Sequence, residues 1–393
     1  MNPDPVVILA ARRTPVGAFQ GAFTTVTAPQ LGAAAIKAAV ADAGVDASQI
    51  DEVIMGCVLS AGIGQAPARQ AAMGGGIPAS VPTTTVNKMC GSAMRAVMLG
   101  CDQILAGTAR IVVAGGIESM TNSPYLLPKA RAGYRMGNQE VLDHMFYDGL
   151  QSPWDGQLMG CFAEATSEKY DFTRKAQDDF AAESVRRALA AVANGDFAAE
   201  IAAVTTKTRK GEVVVDKDET PFTLDIAKIP TLKPAFKKDG TVTAASSSGI
   251  SDGAAALVLT RESLAAAQGR KPMARVLGYT SFAREPEWFT LAPVGAIAKL
   301  LTQLNWQAKD VDLYEINEAF AAVPMAAIKD LGLDHAKVNI NGGACALGHP
   351  IGATGARIMT TLLHALRARG KKRGIASLCI GGGEATAIAV ELM

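Results

Sequence analysis

The sequence predicts an α/β protein made of two similar halves separated by a long insertion, and three observations carry that prediction. Short apolar runs alternate with helical patterns, the same order of elements returns near the C-terminus, and the stretch between the copies differs in composition. In chain order, Val6–Ala10 reads as a strand, Pro29–Gly44 as a helix and Glu52–Cys57 as a strand. Cys90–Gly107 then reads as a helix and Arg110–Ala114 as a strand. Such alternation points to largely parallel strands joined by crossover helices.

The return is visible residue by residue. Leu31-Gly32 stands beside Val294-Gly295, Ile50-Asp51 beside Val311-Asp312, Val86-Asn87 beside Val338-Asn339, and Gly115-Gly-Ile-Glu118 beside Gly382-Gly-Glu384. The offsets, 263 for Gly32/Gly295, 261 for Asp51/Asp312, 252 for Val86/Val338 and 266 for Glu118/Glu384, stay nearly level, as a duplicated unit requires. A repeat this long marks two packed domains rather than a solenoid, and such pairs place their sites where the halves meet. Between them, residues 121–249 gather charges (Lys207, Arg209, Lys210, Asp216, Lys217) and aromatics (Tyr125, Tyr134, Phe146, Tyr147, Trp154), as an exposed covering segment would. The expected division is 1–120 with 250–272 as the first domain, 121–249 as the insertion and 273–393 as the second domain.

Composition narrows the function. At about 150 residues per domain, 393 residues suit two or three domains. Thirty-eight basic against 37 acidic side chains leave no cationic surplus to displace counterions, which argues against a nucleic-acid binder. No run approaches the roughly 18 apolar residues of a membrane span. The opening places Asp4 ahead of a short apolar run and lacks a basic leader, so a cytoplasmic location is expected. Six cysteines, at 57, 90, 101, 161, 345 and 379, form no C-x-x-C pair, which supports neither a disulfide framework nor a metal site.

Four residues invite chemistry. Cys90 opens a helix whose Met94, Val97, Met98, Cys101, Ile104 and Leu105 recur at helical spacing before Gly107. Unpaired N–H groups at a helix start favour an anion, which biases a thiol towards thiolate; an ordinary thiol would be only about 3% ionised at neutral pH. His349 lies in a glycine-rich loop, Asn339 to Gly355, leading into the helix Ala356–Ala368, where an imidazole can take a thiol proton. His144, His335 and His364 fit surface or packing roles. Cys379 ends the apolar run Ile375–Ile380 just before Gly381-Gly-Gly383, the end of a strand where open α/β sheets expose reactive groups. Asn317 stands at a strand-to-helix junction, where it can orient a water or cap the helix.

These residues sit in five ordered motifs: Asn87-Lys-Met-Cys90-Gly-Ser92, Ala114-Gly-Gly-Ile-Glu-Ser-Met120, Asn317-Glu-Ala-Phe320, Asn341-Gly-Gly343 with Gly348-His-Pro350, and Cys379-Ile-Gly-Gly-Gly383. Over essentially its whole length the chain resembles the thiolases. The resemblance implies duplicated α/β domains in a five-layered α-β-α-β-α core, with residues 121–249 as a loop domain that holds coenzyme A. It implies reversible Claisen condensation and thiolysis between acetyl-CoA and acetoacetyl-CoA, or a longer 3-oxoacyl-CoA, through an acyl-cysteine. Cys90 would be the nucleophile, His349 its base and Cys379 the acid/base that exchanges a proton with the substrate. Asn317 would hold a water that, with His349, stabilises an enolate oxygen, and the N–H groups of Cys90 and Gly381 would form a second oxyanion hole. Ser248 would meet the pantetheine, and Met159, Ala319 and Phe320 would line the tunnel.

By the same resemblance no metal and no cofactor is needed, because coenzyme A thioesters are the substrates, and a homo-oligomer, dimer or tetramer, is expected. Leu158 departs from the acetoacetyl-specific pattern, which has His there, so a degradative enzyme of broader chain length is the alternative. A decarboxylating ketoacyl synthase would pair its Cys with two His, and Asn317 occupies the second position. An inactive acyl-CoA binder is opposed by the presence of all four reacting side chains.

Overall fold

The computed structural model describes residues 4–209 and 211–393. Residues 1–3, the expected start of the first domain, and Lys210 of the charged cluster lie outside the described residues.

The first half comprises β1 (Val6–Arg13), α1 (Ala28–Ala43), β2 (Glu52–Gly56), α2 (Pro67–Gly74), β3 (Thr83–Val86), α3 (Ser92–Ala106) and β4 (Ile111–Ser119). The insertion carries α4 (Met159–Lys169) and α5 (Arg174–Asn194), after which β5 (Ser251–Arg261) closes the half. The second half comprises β6 (Ala274–Ala283), α6 (Ala292–Leu304), β7 (Leu313–Ile316), α7 (Ala322–Leu331), α8 (Thr354–Ala368), β8 (Arg373–Ile380) and β9 (Glu384–Leu392). Local chemistry sets the helix limits. Thr27 and Gln30 form a reciprocal capping box at the start of α1, and Gly44, at φ 60°, ends it in the left-handed region.

The strands run in the order β7-β8-β9-β6-β1-β5-β4-β2-β3, two half-sheets joined where β1 meets β6 at Val7/Arg275 and Ile8/Ala274. Only β2 with β3, β2 with β4 and β7 with β8 pair in parallel; the other ladders along this order are antiparallel, which corrects the expectation of a largely parallel sheet. The reason is connectivity. No crossover helix follows β8, which turns straight back into β9, and β5 likewise returns antiparallel beside β4 after the insertion.

The duplication is exact in its hydrogen bonding at one informative place. Asp51 accepts from the N–H groups of Arg110 and Ile111 at 2.8 and 3.0 Å, and Asp312 accepts from those of Lys372 and Arg373 at 3.0 and 2.9 Å. Arg110 and Lys372 lie 262 residues apart, and so do Ser92 and Thr354 at the starts of α3 and α8. That register sets Glu118 opposite Ile380, so the matching of Gly115–Glu118 with Gly382–Glu384 is a coincidence of composition: the first lies within β4, the second in and after a turn.

Side-chain parity along the strands produces the layers. Val112 and Ala114 face α3 and α8, whereas Ile111 and Val113 face α1 and α2. In the second half Ala376 and Leu378 join the central helices, while Ile375 and Cys379 join the cluster around α6 and α7. Five layers result, with α3 and α8 between the two half-sheets.

The insertion leaves after β4 and returns at β5, where Asp252 pairs with Ser119. It therefore occupies in the first half the position that the turn Gly381–Gly383 occupies in the second. It is anchored to β1 by Arg13, whose fully buried guanidinium donates from Nε to Glu200 at 2.5 Å and from Nη1 and Nη2 to Asp218 at 2.7 and 2.9 Å. Among the described residues, no helix is long and apolar enough to cross a membrane, and no group of three or more His, Cys, Asp or Glu is placed to hold a metal.

Candidate active site

The first turns of α3 and α8 abut. A Cβ on Gly355 would strike the Met94 backbone, and one on Gly116 would strike the Gly352 carbonyl, so both positions must stay bare. Cys90 precedes α3, whose cap is Gly91, and follows Met89, which is held at φ 47°. A bulky residue in that left-handed region is costly and needs surrounding support.

The N–H groups of Gly381 and of Cys90 itself are directed at the Cys90 sulfur, and both favour its anion. Burial outweighs them and pushes the thiol up to about 11. The expected pull of the helix start towards thiolate is present but outweighed: the resting group is the protonated thiol, because removal from water costs the anion more than two N–H groups return.

His349 is fixed at both ends. Its backbone N–H donates to the Gly249 carbonyl at 3.0 Å. Its Nδ1 lies 2.7 Å from Thr354 Oγ1, and that hydroxyl donates to the Pro350 carbonyl at 2.9 Å. With its hydrogen so engaged, Thr354 can only accept, which assigns the proton to Nδ1 and leaves a lone pair on Nε2. Burial, and secondarily the Arg357 guanidinium, push the imidazole down to about 3, so it is neutral at rest. Asn317 Nδ2 stands 3.5 Å from Nε2, and its Oδ1 is buried without a protein partner.

Cys379 is fully buried at the end of β8, and burial, then the neighbouring Cys90 sulfur, raise its pKa well above the ordinary thiol range. Thiol, imidazole and thiol thus share one low-dielectric region with no charge among them.

A cavity of about 350 Å³ reaches Cys90, His349 and Gly381. Leu158, Met159, Ser248, Ala319 and Phe320 form other parts of its wall. Asn317 and Cys379 lie behind that wall, 1% and 0% exposed. The insertion supplies Leu158, Met159 and Ser248, while Phe320 is held edge-on by Phe236 at 5.9 Å between centroids. A larger cleft of about 940 Å³ runs past Leu105, Tyr279 and Gln303. Its charged groups are already committed, as in the Arg275–Glu262 pair, and it contains none of the reactive groups.

The other histidines pack. His144 pairs with Asp148 at 2.5 Å, His335 stacks on Phe180 at 4.9 Å, and His364 Nε2 lies 3.1 Å from the Ala11 carbonyl.

Two residues at the site escaped sequence reasoning. Thr354 fixes the imidazole, and the signal was a hydroxyl five residues after the loop histidine. Glu118, fully buried and pushed up to about 7 by burial, accepts from the N–H groups of Val58, Leu59 and Gly352 at 3.1, 3.1 and 2.9 Å. It ties the loop after β2 to the turn before α8, and its signal was an acid inside an otherwise apolar strand.

Two family models together span almost the whole chain. The model described as Thiolase, N-terminal domain, matches residues 6–263, and Thiolase, C-terminal domain, matches residues 270–392. An acetyl-CoA acetyltransferase of Cupriavidus necator is 49% identical over 390 residues, covering 98% of this chain and 99% of its own. The crystal structure of the Bacillus anthracis acetyl-CoA acetyltransferase superposes with a TM-score of 0.97 at 43% identity over 99% of both chains. The Acat5 thiolase from Ascaris suum in complex with coenzyme A superposes with a TM-score of 0.94 at 43% identity, over 99% of this chain and all of its own.

Proposed function

The chain belongs to the thiolase family, and on that premise we propose how its residues divide the condensation and thiolysis of coenzyme A thioesters. It is an acyltransferase of the acetyl-CoA acetyltransferase kind. The observation that carries the assignment of roles is that the Cys90 thiol and His349 reach one cavity while the Cys379 thiol lies behind its wall beside the Cys90 sulfur.

Three neutral groups permit a charge-balanced cycle. His349 Nε2 takes the Cys90 proton as the sulfur attacks the acetyl-CoA carbonyl. The resulting oxyanion is received by the N–H groups of Cys90 and Gly381. Collapse expels the coenzyme A sulfur, which takes its proton from Cys379 and leaves a Cys379 thiolate beside a protonated His349. That thiolate removes a proton from the methyl carbon of a second acetyl-CoA, whose enolate oxygen is held by His349 Nε2–H and a water on Asn317. The enolate carbon attacks acetyl-Cys90, the Cys90 sulfur departs, and it recovers its proton from His349. Each charge exists only as half of a transient pair, as a dry site favours. No step calls for a metal or redox group, and coenzyme A enters as substrate.

Ser248, on the insertion, would meet the pantetheine arm, and Met159, Ala319 and Phe320, with Leu158 beside them, would line the tunnel to Cys90; their place on the cavity wall supports this. The apolar wall at Leu158 supports acceptance of 3-oxoacyl chains longer than acetoacetyl. A homo-oligomer, dimer or tetramer, is supported by Tyr125, Met136, Tyr147 and Trp154, which the insertion leaves 67%, 89%, 55% and 66% exposed. Six unpaired cysteines are consistent with a reducing, cytoplasmic setting.

The test is thiolysis of acetoacetyl-CoA followed by mass spectrometry of the quenched enzyme. An acetyl group on the peptide containing Cys90, and loss of turnover in Cys90→Ala, are expected. Acetylation elsewhere, or turnover in that variant, would overturn the assignment.

A further inference from the structure

The two N–H groups assigned above to the oxyanion belong to different halves of the molecule. Cys90 sits on the turn before α3, and Gly381 on the turn between β8 and β9. Donors on separate backbones keep a useful spacing only if something fixes one turn against the other, because oxyanion stabilisation depends on donor distances within a few tenths of an ångström.

Both turns are conformationally demanding. Met89 is at φ 47°, while Gly382 and Gly383 are at φ 98° and 91°. Within the first turn, Met89 N–H donates to Asn87 Oδ1 at 2.9 Å and Lys88 N–H to Ser92 Oγ at 2.8 Å, which shape it but do not reach the other half. The turns approach so closely that a Cβ on Gly91 would strike the Ile380 side chain. Besides the Gly381 N–H directed at the Cys90 sulfur, a side-chain ion pair crosses between them among the described residues: the Lys88 ammonium donates to the Glu384 carboxylate. Lys88 is two residues before Cys90, and Glu384 is three after Gly381. Neither lines the cavity.

The duplication sharpens the point. In the register set by Ser92 and Thr354, Lys88 corresponds to Pro350, and the turn Gly381–Gly383 that leads into Glu384 is replaced in the first half by the insertion. The ion pair therefore has no counterpart in the other copy of the unit and is not part of the repeated framework.

We propose that the Lys88–Glu384 ion pair is a positioning device that holds the Cys90 turn against the Gly381 turn and so sets the spacing of the two N–H groups. The inference rests on the oxyanion assignment made above. An interaction this exposed, with side chains 25% and 37% accessible, contributes through geometry rather than through the strength of its charge.

The experiment uses the full chain with Lys88→Met, Glu384→Gln and the exchanged pair Lys88→Glu/Glu384→Lys, alongside Cys90→Ser. Steady-state thiolysis of acetoacetyl-CoA and unfolding midpoints are read for each. The single variants are expected to lose about tenfold in kcat with KM held within about twofold, as a misplaced catalytic geometry does. The exchanged pair should recover most of that loss, and the nearly isosteric Glu384→Gln keeps the test valid if Lys88→Met folds poorly. Singles with wild-type kcat, or an exchanged pair no better than the singles, would overturn the proposal. Turnover in Cys90→Ser would instead overturn the nucleophile assignment, so the two failures are separable.

Discussion

Thr354 Oγ1 accepts a hydrogen bond from His349 Nδ1 at 2.7 Å while giving its own hydrogen to the Pro350 carbonyl at 2.9 Å. A single hydroxyl thereby decides which imidazole nitrogen carries the proton and which presents its lone pair to the thiols. Thr354→Val keeps the shape and removes the acceptor. It is expected to lower kcat about 10- to 100-fold with little change in KM, and Thr354→Ser to restore most of it. Wild-type kcat in Thr354→Val with loss in Thr354→Ser, at unchanged folding, would mean that the methyl group matters instead.

The resting site is neutral, with the Cys90 thiol near 11 and the His349 imidazole near 3. Ionisation of the thiol in the free enzyme thus requires alkaline pH. The rate of inactivation by iodoacetamide should climb by about tenfold per pH unit between about pH 7 and about pH 10. A plateau reached near neutrality would reveal a thiolate–imidazolium pair at rest.

Arg13 binds the insertion to β1 through two carboxylates that are as buried as itself. Asp218→Asn leaves part of that charge unbalanced in the interior, and stability should fall by about 3–5 kcal/mol in urea titrations. Lys175→Met, which breaks an exposed pair with Asp179, serves as the control and should leave the midpoint in place.

Leu158 borders the cavity where a polar side chain would favour a short, polar acyl group. Comparing thiolysis of acetoacetyl-CoA and 3-oxohexanoyl-CoA, Leu158→His should shift the kcat/KM ratio towards the shorter substrate by about tenfold, the size of a methylene-scale pocket effect. An unchanged ratio would place chain-length selection elsewhere.

Much of this was legible in sequence because it is local. The period of α3 and its terminal Gly107 located Cys90, and Gly381-Gly-Gly383 announced the turn beside Cys379. What escaped is long-range. The antiparallel return of β5 and β9 depends on how strands are connected, and the equivalence of β4 with β8 was hidden by a chance Gly-Gly-x-Glu match. The pull of a helix start on Cys90 is visible in sequence, whereas the burial that opposes it is not. Glu118 and the Lys88–Glu384 pair join segments 234 and 296 residues apart, a separation that no periodicity reports.

The most direct measurement is rapid-quench analysis of Cys379→Ser with radiolabelled acetyl-CoA. If the two sulfurs divide the work, the variant should still take acetyl onto Cys90 while forming acetoacetyl-CoA at least about a thousandfold more slowly than the wild type, since the α-proton then has no thiolate to accept it. Condensation at an ordinary rate in that variant would contradict the division, and with it the assignment of Cys379 as the group that moves the carbon-bound proton.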